Sequence, residues 1–182
     1  MHYATIKECD VANGPGVRVS VFVSGCNHHC KGCFNEIAWN FEYGNEFTEE
    51  TINQVLKDLD KDYIEGLSLL GGEPLEHANQ KGLLPLIKKV KEKFPEKSIW
   101  CYTGFDFERD VMGNMYKNWD ETKELISNID VIVDGKFEQE LKNPSLKFRG
   151  SSNQRIIDVP KSVKESKVIW ADLDKDEIKI AN

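Results

Sequence analysis

Three cysteines in one short stretch are the residues of this chain best suited to chemistry. Cys26, Cys30 and Cys33 stand in the spacing C-x3-C-x2-C within VSGCNHHCKGCF, residues 23–34. Thiolate is a soft ligand, which selects iron–sulfur clusters, zinc or copper(I) over oxygen-loving cations. Three sulfurs are one short of a closed tetrahedral site or a fully cysteine-ligated cubane. A centre held this way keeps one coordination position open. Two other readings use the same residues. His28 or His29 would complete a structural Cys3His zinc site. A disulfide framework would need an oxidising compartment, and no export signal points to one.

A second stretch, Gly71-Gly72-Glu73-Pro74, follows a short apolar run at residues 66–70. Paired glycines remove side chains where backbone approaches something closely, and they permit φ > 0. Glu73 offers acceptor oxygens, and Pro74 fixes the exit. Alone, such a tetrapeptide is an ordinary strand-to-helix turn. Following a cysteine triplet that itself succeeds a strand, it reads as the second wall of one pocket.

The elements that must position these two stretches are legible in outline. Asn13-Gly14-Pro15-Gly16 is a turn signal. Val17–Val23 is β-branched and alternating, a strand that runs straight into the cysteines. Arg18, near its start, reads as a solvated or salt-bridged end residue, with a cofactor contact as the lesser option. Thr48 is an N-cap, Glu49 and Glu50 suit the first turn, and Ile52, Val55, Leu56 and Leu59 form one helical face. Leu83, Ile87, Val90 and Phe94 mark a second helix with Pro85 near its start and Pro95 as its stop. Its lysines, Lys88, Lys89, Lys91 and Lys93, take the solvated side. Residues 98–103 form a strand ended by Gly104. A helix carrying Trp119, Thr122, Leu125, Ile126 and Ile129 runs into a strand at 130–133, and 155–159 and 168–170 are further strands. The charged tail follows Asp172.

Strand and helix alternate repeatedly, so consecutive strands are expected to lie parallel with helical crossovers. Both glycine-bearing loops then fall at the C-terminal ends of strands, where α/β barrels and open parallel sheets place their active sites. With 182 residues the chain is short of the roughly 250 of a closed eightfold barrel. The expectation is a single α/β domain over residues 1–182, an incomplete parallel β/α barrel, with 1–12 and 172–182 peripheral.

Composition narrows the classes. A net charge of −7 argues against a general binder of nucleic-acid backbone. The N-terminus has no basic region followed by an apolar run, and no stretch approaches the roughly 18 apolar residues of a membrane span. An odd count of five cysteines without an export signal points to the cytoplasm. Cys9 and Cys101 lack metal-spaced neighbours and read as buried structural thiols; His28 and His29 read as exposed loop residues.

The two motifs together resemble the radical S-adenosylmethionine (SAM) superfamily, in which C-x3-C-x2-C holds a [4Fe–4S] cluster whose fourth iron SAM chelates. The resemblance implies that Cys26, Cys30 and Cys33 ligate the cluster and that Gly71, Gly72, Glu73 and Pro74 hold the methionine end of SAM. The blocks NGPGVRVSVFVSGCNHHCKGCFNEIAW, GLSLLGGEPL, IWCYTGF, VIVDGKF and FRGSSNQRIID, from Asn13 to Asp158, are similar in kind and order to anaerobic ribonucleoside-triphosphate reductase activating proteins. Many superfamily members carry an aromatic residue before the third cysteine. Here Gly32 stands there, as in the activating proteins, which leaves open what stacks on the adenine; Phe34 and Tyr102 are candidates, core packing being the other reading of each. By likeness to related activases, Asp134 and Lys136 would contact SAM; the other reading is a solvated pair at a strand exit. The 150–155 block, GSSNQR, falls between SAM contact and partner docking.

What the resemblance implies is a radical SAM activase. A one-electron donor such as a flavodoxin or ferredoxin reduces the cluster, SAM is cleaved to a 5′-deoxyadenosyl radical, and a glycyl radical forms on the anaerobic reductase. No acid–base residue is called for beyond the cluster ligands. The competing expectations are an activase of another glycyl-radical enzyme, of the formate-lyase type, a small-molecule radical SAM enzyme, and a zinc-stabilised binding module.

Overall fold

The computed structural model describes residues 1–173. The expectation for the tail therefore lies, beyond Leu173, outside the described residues. The strands are β1 (His2–Asp10), β2 (Val17–Val23), β3 (Asn45–Glu46), β4 (Ile64–Gly71), β5 (Ser98–Tyr102), β6 (Val131–Asp134) and β7 (Arg155–Asp158). They form one open mixed sheet in the order β3-β1-β2-β4-β5-β6-β7.

The four central strands, β2, β4, β5 and β6, are parallel neighbours as expected. The flanks are not. β1 pairs antiparallel with β2, and β7 antiparallel with β6. A parallel pair needs a crossover of a dozen or more residues, and only residues 11–16 separate β1 from β2. The long 135–154 connection stays at the end of the sheet where β6 finishes, so β7 returns in the opposite sense. The peripheral segment expected at 1–12 is a nine-residue strand inside the sheet.

Period-two alternation sorts the strand residues onto two faces. Val19, Val21, Val23, Leu67, Leu69, Ile99, Cys101, Ile132 and Ile157 enter the main core. There they meet Ile52, Val55 and Leu59 of α1 (Glu49–Leu59), Leu83, Leu86, Ile87 and Val90 of α2 (His77–Lys93), and the helical segments beyond β5. The opposite face carries a smaller cluster of Trp100, Val133 and Ile156, against which Tyr102 and Phe148 pack. Helices thus cover one face, and the other borders a hollow.

Thr48 caps α1 as the sequence predicts, accepting a hydrogen bond from the Thr51 amide. α2 begins eight residues before Pro85, which lies inside it. Its first turns are held by buried polar side chains, not by an apolar stripe. Gln80 Nε2 donates to the Leu75 carbonyl at 2.8 Å, and Thr122 donates to Gln80 Oε1 at 2.7 Å. Beyond β5, a stretch with i→i+5 geometry, Phe107–Met115, leads through α3 (Tyr116–Asn118) to α4 (Asp120–Ile126), the helix expected from Trp119. After β7 comes α5 (Val159–Glu165). The strand expected at 168–170 is reduced to a bridge between Trp170 and Ile157.

Arg18 is not solvated. It is fully buried on the hollow face, where Nε donates to Ser68 Oγ at 2.8 Å and Nη2 to the carbonyls of Leu67 and Ser98. Its guanidinium also lies over the Trp100 ring. Among the described residues no helix is long and apolar enough to cross a membrane.

Candidate functional site

Val23 and Gly71 are register partners at the ends of β2 and β4, so the cysteine loop and the Gly-Gly-Glu-Pro turn start side by side. Backbone bonds stitch them together. The Gly72 amide donates to the Val23 carbonyl at 2.7 Å, and the Glu73 amide to the Gly25 carbonyl at 2.8 Å. Asn79, in the first turn of α2, donates its side-chain amide to the carbonyls of Ser24 and Glu73, both at 2.9 Å. Gly71 has φ +108°, a conformation that side chains disfavour, and a Cβ on Gly72 would lie 2.6 Å from the Gly25 oxygen. Both glycines are therefore required by the approach of the two loops.

All three motif cysteines are free thiols. Cys26 is buried, Cys30 and Cys33 half-buried, and the Cys33 amide donates to the Cys30 carbonyl at 3.1 Å. Burial pushes the Cys26 thiol up to about 11 and raises Cys30 as well. A bound metal supplies the positive charge that removes such protons. Cys101 is buried as expected, its thiol pushed well up by desolvation. Cys9, expected to be buried, is exposed on β1.

The cysteines and the turn share one cavity of about 440 Å³ on the hollow face, at the C-terminal ends of the parallel strands. Cys26, Cys30, Gly32, Cys33 and Phe34 line it from one side and Gly71, Gly72 and Glu73 from the other. Pro74 is buried behind the turn. Phe34 is 80% exposed, so it stands at the rim. Tyr102 forms part of the wall, with its hydroxyl buried and without a hydrogen-bond partner. Desolvation holds that hydroxyl well above its ordinary range.

Asp134 and Lys136 are not among the residues lining the cavity. Asp134 is 1% exposed; its carboxylate accepts from the Phe107 amide at 2.9 Å and from Arg155 Nε at 3.0 Å. It therefore clamps β6, β7 and the segment after β5 together. Lys136 is exposed, and its carbonyl accepts from the Asn153 side chain. Gly135, between them, does reach the cavity wall.

The 150–155 block finds its place here. Gln154 Oε1 accepts from the amides of Gly150 and Ser151, while Nε2 donates to the Gly135 carbonyl at 3.0 Å. This knot folds the 135–154 connection over the cavity, where Lys142, Phe148 and Arg149 join the lining.

The sequence reading missed His28. Its ring is buried, with Nε2 2.8 Å from Glu73 Oε2. His29 is exposed as expected and stacks on Trp39. Asn79 was missed too; a polar residue at the start of an otherwise amphipathic helix was its only signal.

These residues fit an iron–sulfur cluster with a small ligand beside it. The donor set is soft and lacks a fourth protein sulfur, and the one candidate imidazole on the inner side is already engaged by Glu73. Single-ion zinc would draw three sulfurs to roughly 3.8 Å of one another at Zn–S distances near 2.3 Å. Among the described residues the trio of ligand-type atoms lying mutually within 4.8 Å is instead Asp106, Glu108 and Asp134. Across the cavity from the sulfurs, Gly71 and Gly72 present backbone without side chains.

Comparison with known proteins agrees with this geometry. A family described as a 4Fe-4S single cluster domain matches residues 12–157. The anaerobic ribonucleoside-triphosphate reductase-activating protein of enterobacteria phage T4 is 44% identical over 156 residues, covering 86% of this chain and 93% of that protein. Proteins of the same name from Vibrio cholerae and Escherichia coli K12 are 43% and 40% identical, over 86% of this chain and 97% of each relative.

Proposed function

The chain belongs to the family of anaerobic ribonucleoside-triphosphate reductase-activating proteins, and on that premise we propose that it is a radical SAM activase that installs a glycyl radical on an anaerobic ribonucleotide reductase. The observation that carries this reading is the shared cavity: three free thiols and the Gly-Gly-Glu-Pro turn face one hollow at the strand C-termini. We read the open sheet, with helices on one face only, as the incomplete barrel of the radical SAM type.

Cys26, Cys30 and Cys33 would hold the cluster, and residues 71–74 the methionine end of SAM. When bound, the cluster would supply the one electron for carbon–sulfur cleavage of SAM to methionine and a 5′-deoxyadenosyl fragment, which would take a hydrogen atom from the partner's glycine. The chain's own task is placement. Gly71 and Gly72 let backbone come close to a ligand; the stitched loops fix the distance between sulfurs and turn. Phe137, Leu146 and Phe148 keep the cavity wall apolar and help exclude water. Electrostatic and proton-transfer groups are not needed for this hydrogen-atom transfer, so placement and exclusion of solvent carry the protein's share.

The partner is the glycyl-radical reductase, whose glycine loop would enter from the open side of the sheet. The electron donor would be a small one-electron carrier such as a flavodoxin or ferredoxin, and the cytoplasm is the reducing compartment that free thiols and such a cluster require. No nucleic acid enters the reaction.

The test is product analysis. Anaerobically reconstituted, dithionite-reduced protein given SAM is expected to release 5′-deoxyadenosine and methionine in equal amounts. A colourless protein that retains zinc and leaves SAM intact would overturn the reading.

A further inference from the structure

Glu73 is expected, from the turn it belongs to, to face a ligand. Both oxygens of its carboxylate are already engaged within the protein. Oε1 accepts from the Leu75 amide at 2.8 Å, and Oε2 accepts from the Gly104 amide at 2.8 Å and lies 2.8 Å from His28 Nε2. The group is 1% exposed, and the His28 side chain 8%. One buried carboxylate thereby joins three loops: the cysteine loop through His28, its own turn through Leu75, and the β5 exit through Gly104.

The geometry around His28 leaves little freedom. Its ring meets Phe105 edge to face at 4.4 Å. A Cβ on Gly104 would stand 2.5 Å from His28 Cδ2, so the glycine is what lets the ring reach Glu73. His28 sits between the first two cysteines, yet it points away from a ligand role and into the neighbouring turn.

We propose that His28 is a positioning residue that couples the two halves of the cavity: through Glu73 it ties the order of the cysteine loop to the order of the turn that holds SAM. This rests on the activase reading. A hydrogen bond from a buried imidazole to a carboxylate is among the stronger kinds and is costly to leave half-made. Ordering the cysteine loop by metal therefore fixes His28, which fixes Glu73 and, through the Leu75 and Gly104 amides, both loops beside the ligand.

The experiment compares wild type with His28→Ala and His28→Gln, each reconstituted anaerobically. Gln places Nε2 where the imidazole Nε2 stands and keeps the donor. Iron and sulfide content are measured, then the reduced cluster's paramagnetic resonance spectrum is titrated with SAM. H28A is expected to carry iron but to need tenfold or more SAM for the spectral change, and H28Q to titrate close to wild type. In metal-free protein, the Leu75 and Gly104 amides of H28A are expected to exchange hydrogen at least tenfold faster. Loss of iron in H28A that H28Q restores supports the same coupling, read from the cluster side. An H28A titration and exchange pattern equal to wild type, or a deficit that H28Q shares, overturns it. If wild type itself holds a cluster that ignores SAM, the activase reading fails instead, which separates the two claims.

Discussion

Gly72 and Gly25 stand backbone against backbone, with the position of a Gly72 Cβ 2.6 Å from the Gly25 carbonyl oxygen and 3.0 Å from that of Ala38. Neither neighbour is a flexible side chain, so a methyl group there can be admitted only by moving a loop. Gly72→Ala is expected to lower the unfolding temperature by roughly 2–12 °C, the range that overpacking costs of about 1–3 kcal/mol imply for a chain of this size. SAM affinity, measured by equilibrium binding to the reconstituted protein, should fall with it. Unchanged stability and affinity would show that the two loops are not in contact.

Replacing Cys26, Cys30 or Cys33 singly with Ser is expected to reduce iron from about four per chain to a small residue. Cys9→Ser should leave iron content unchanged, because Cys9 is exposed near the end of β1 that pairs with Arg18, away from the end of β2 that enters the cysteine loop. Iron analysis with visible absorbance separates the two groups. Equal losses across all four variants would mean that the iron is not held by the motif.

Arg155 is 26% exposed at its side chain and Asp134 1%. Removing the guanidinium leaves a buried carboxylate with only the Phe107 amide as a donor from the clamp. Exposed pairs are worth up to roughly 1 kcal/mol and broken buried pairs cost about 3–5 kcal/mol. Arg155→Ala, with one partner about a quarter open to water, should cost about 2 kcal/mol in urea unfolding. Asp134→Asn is expected to cost less, since no buried charge is left behind. The reverse ranking would contradict the clamp.

Asp10 holds the turn that carries Ala12 and Asn13 to the cavity wall. Burial works to raise its carboxyl, but hydrogen bonds from the Asn13 side chain and the Ala12 amide outweigh it and hold the group below its ordinary value. A depressed acid contributes stability above its unfolded pKa and loses it as pH falls through the folded one. Asp10→Asn should therefore be less stable than wild type at neutral pH by on the order of 1 kcal/mol, and the gap should narrow below about pH 4. A pH-independent difference would show that the charge is not what matters.

The cysteine triplet and the Gly-Gly-Glu-Pro turn stand out in the sequence because their constraints are local. Soft donors at fixed spacing, and paired glycines after an apolar strand, mean the same thing whatever surrounds them. The parallel strands β2, β4 and β5 followed from β-branched runs and helical periodicity. What escaped depends on distant partners. Arg18 looks like a strand-end residue until Ser98, 80 positions on, accepts its hydrogen bond. His28 looks like a loop residue until Glu73, 45 positions on, meets it. The early start of α2 rests on Asn79 and Gln80, whose buried bonds leave no apolar period to read. The antiparallel flanks follow from where connections end, which residue patterns do not record.

The central claim is tested most directly by paramagnetic resonance on the partner. The reduced, cluster-loaded protein is mixed anaerobically with SAM and an anaerobic ribonucleoside-triphosphate reductase, then frozen. The account predicts a doublet from a carbon radical coupled to one α-hydrogen, absent without SAM and absent with Cys30→Ser. A reductase that stays radical-free while SAM is consumed would contradict it.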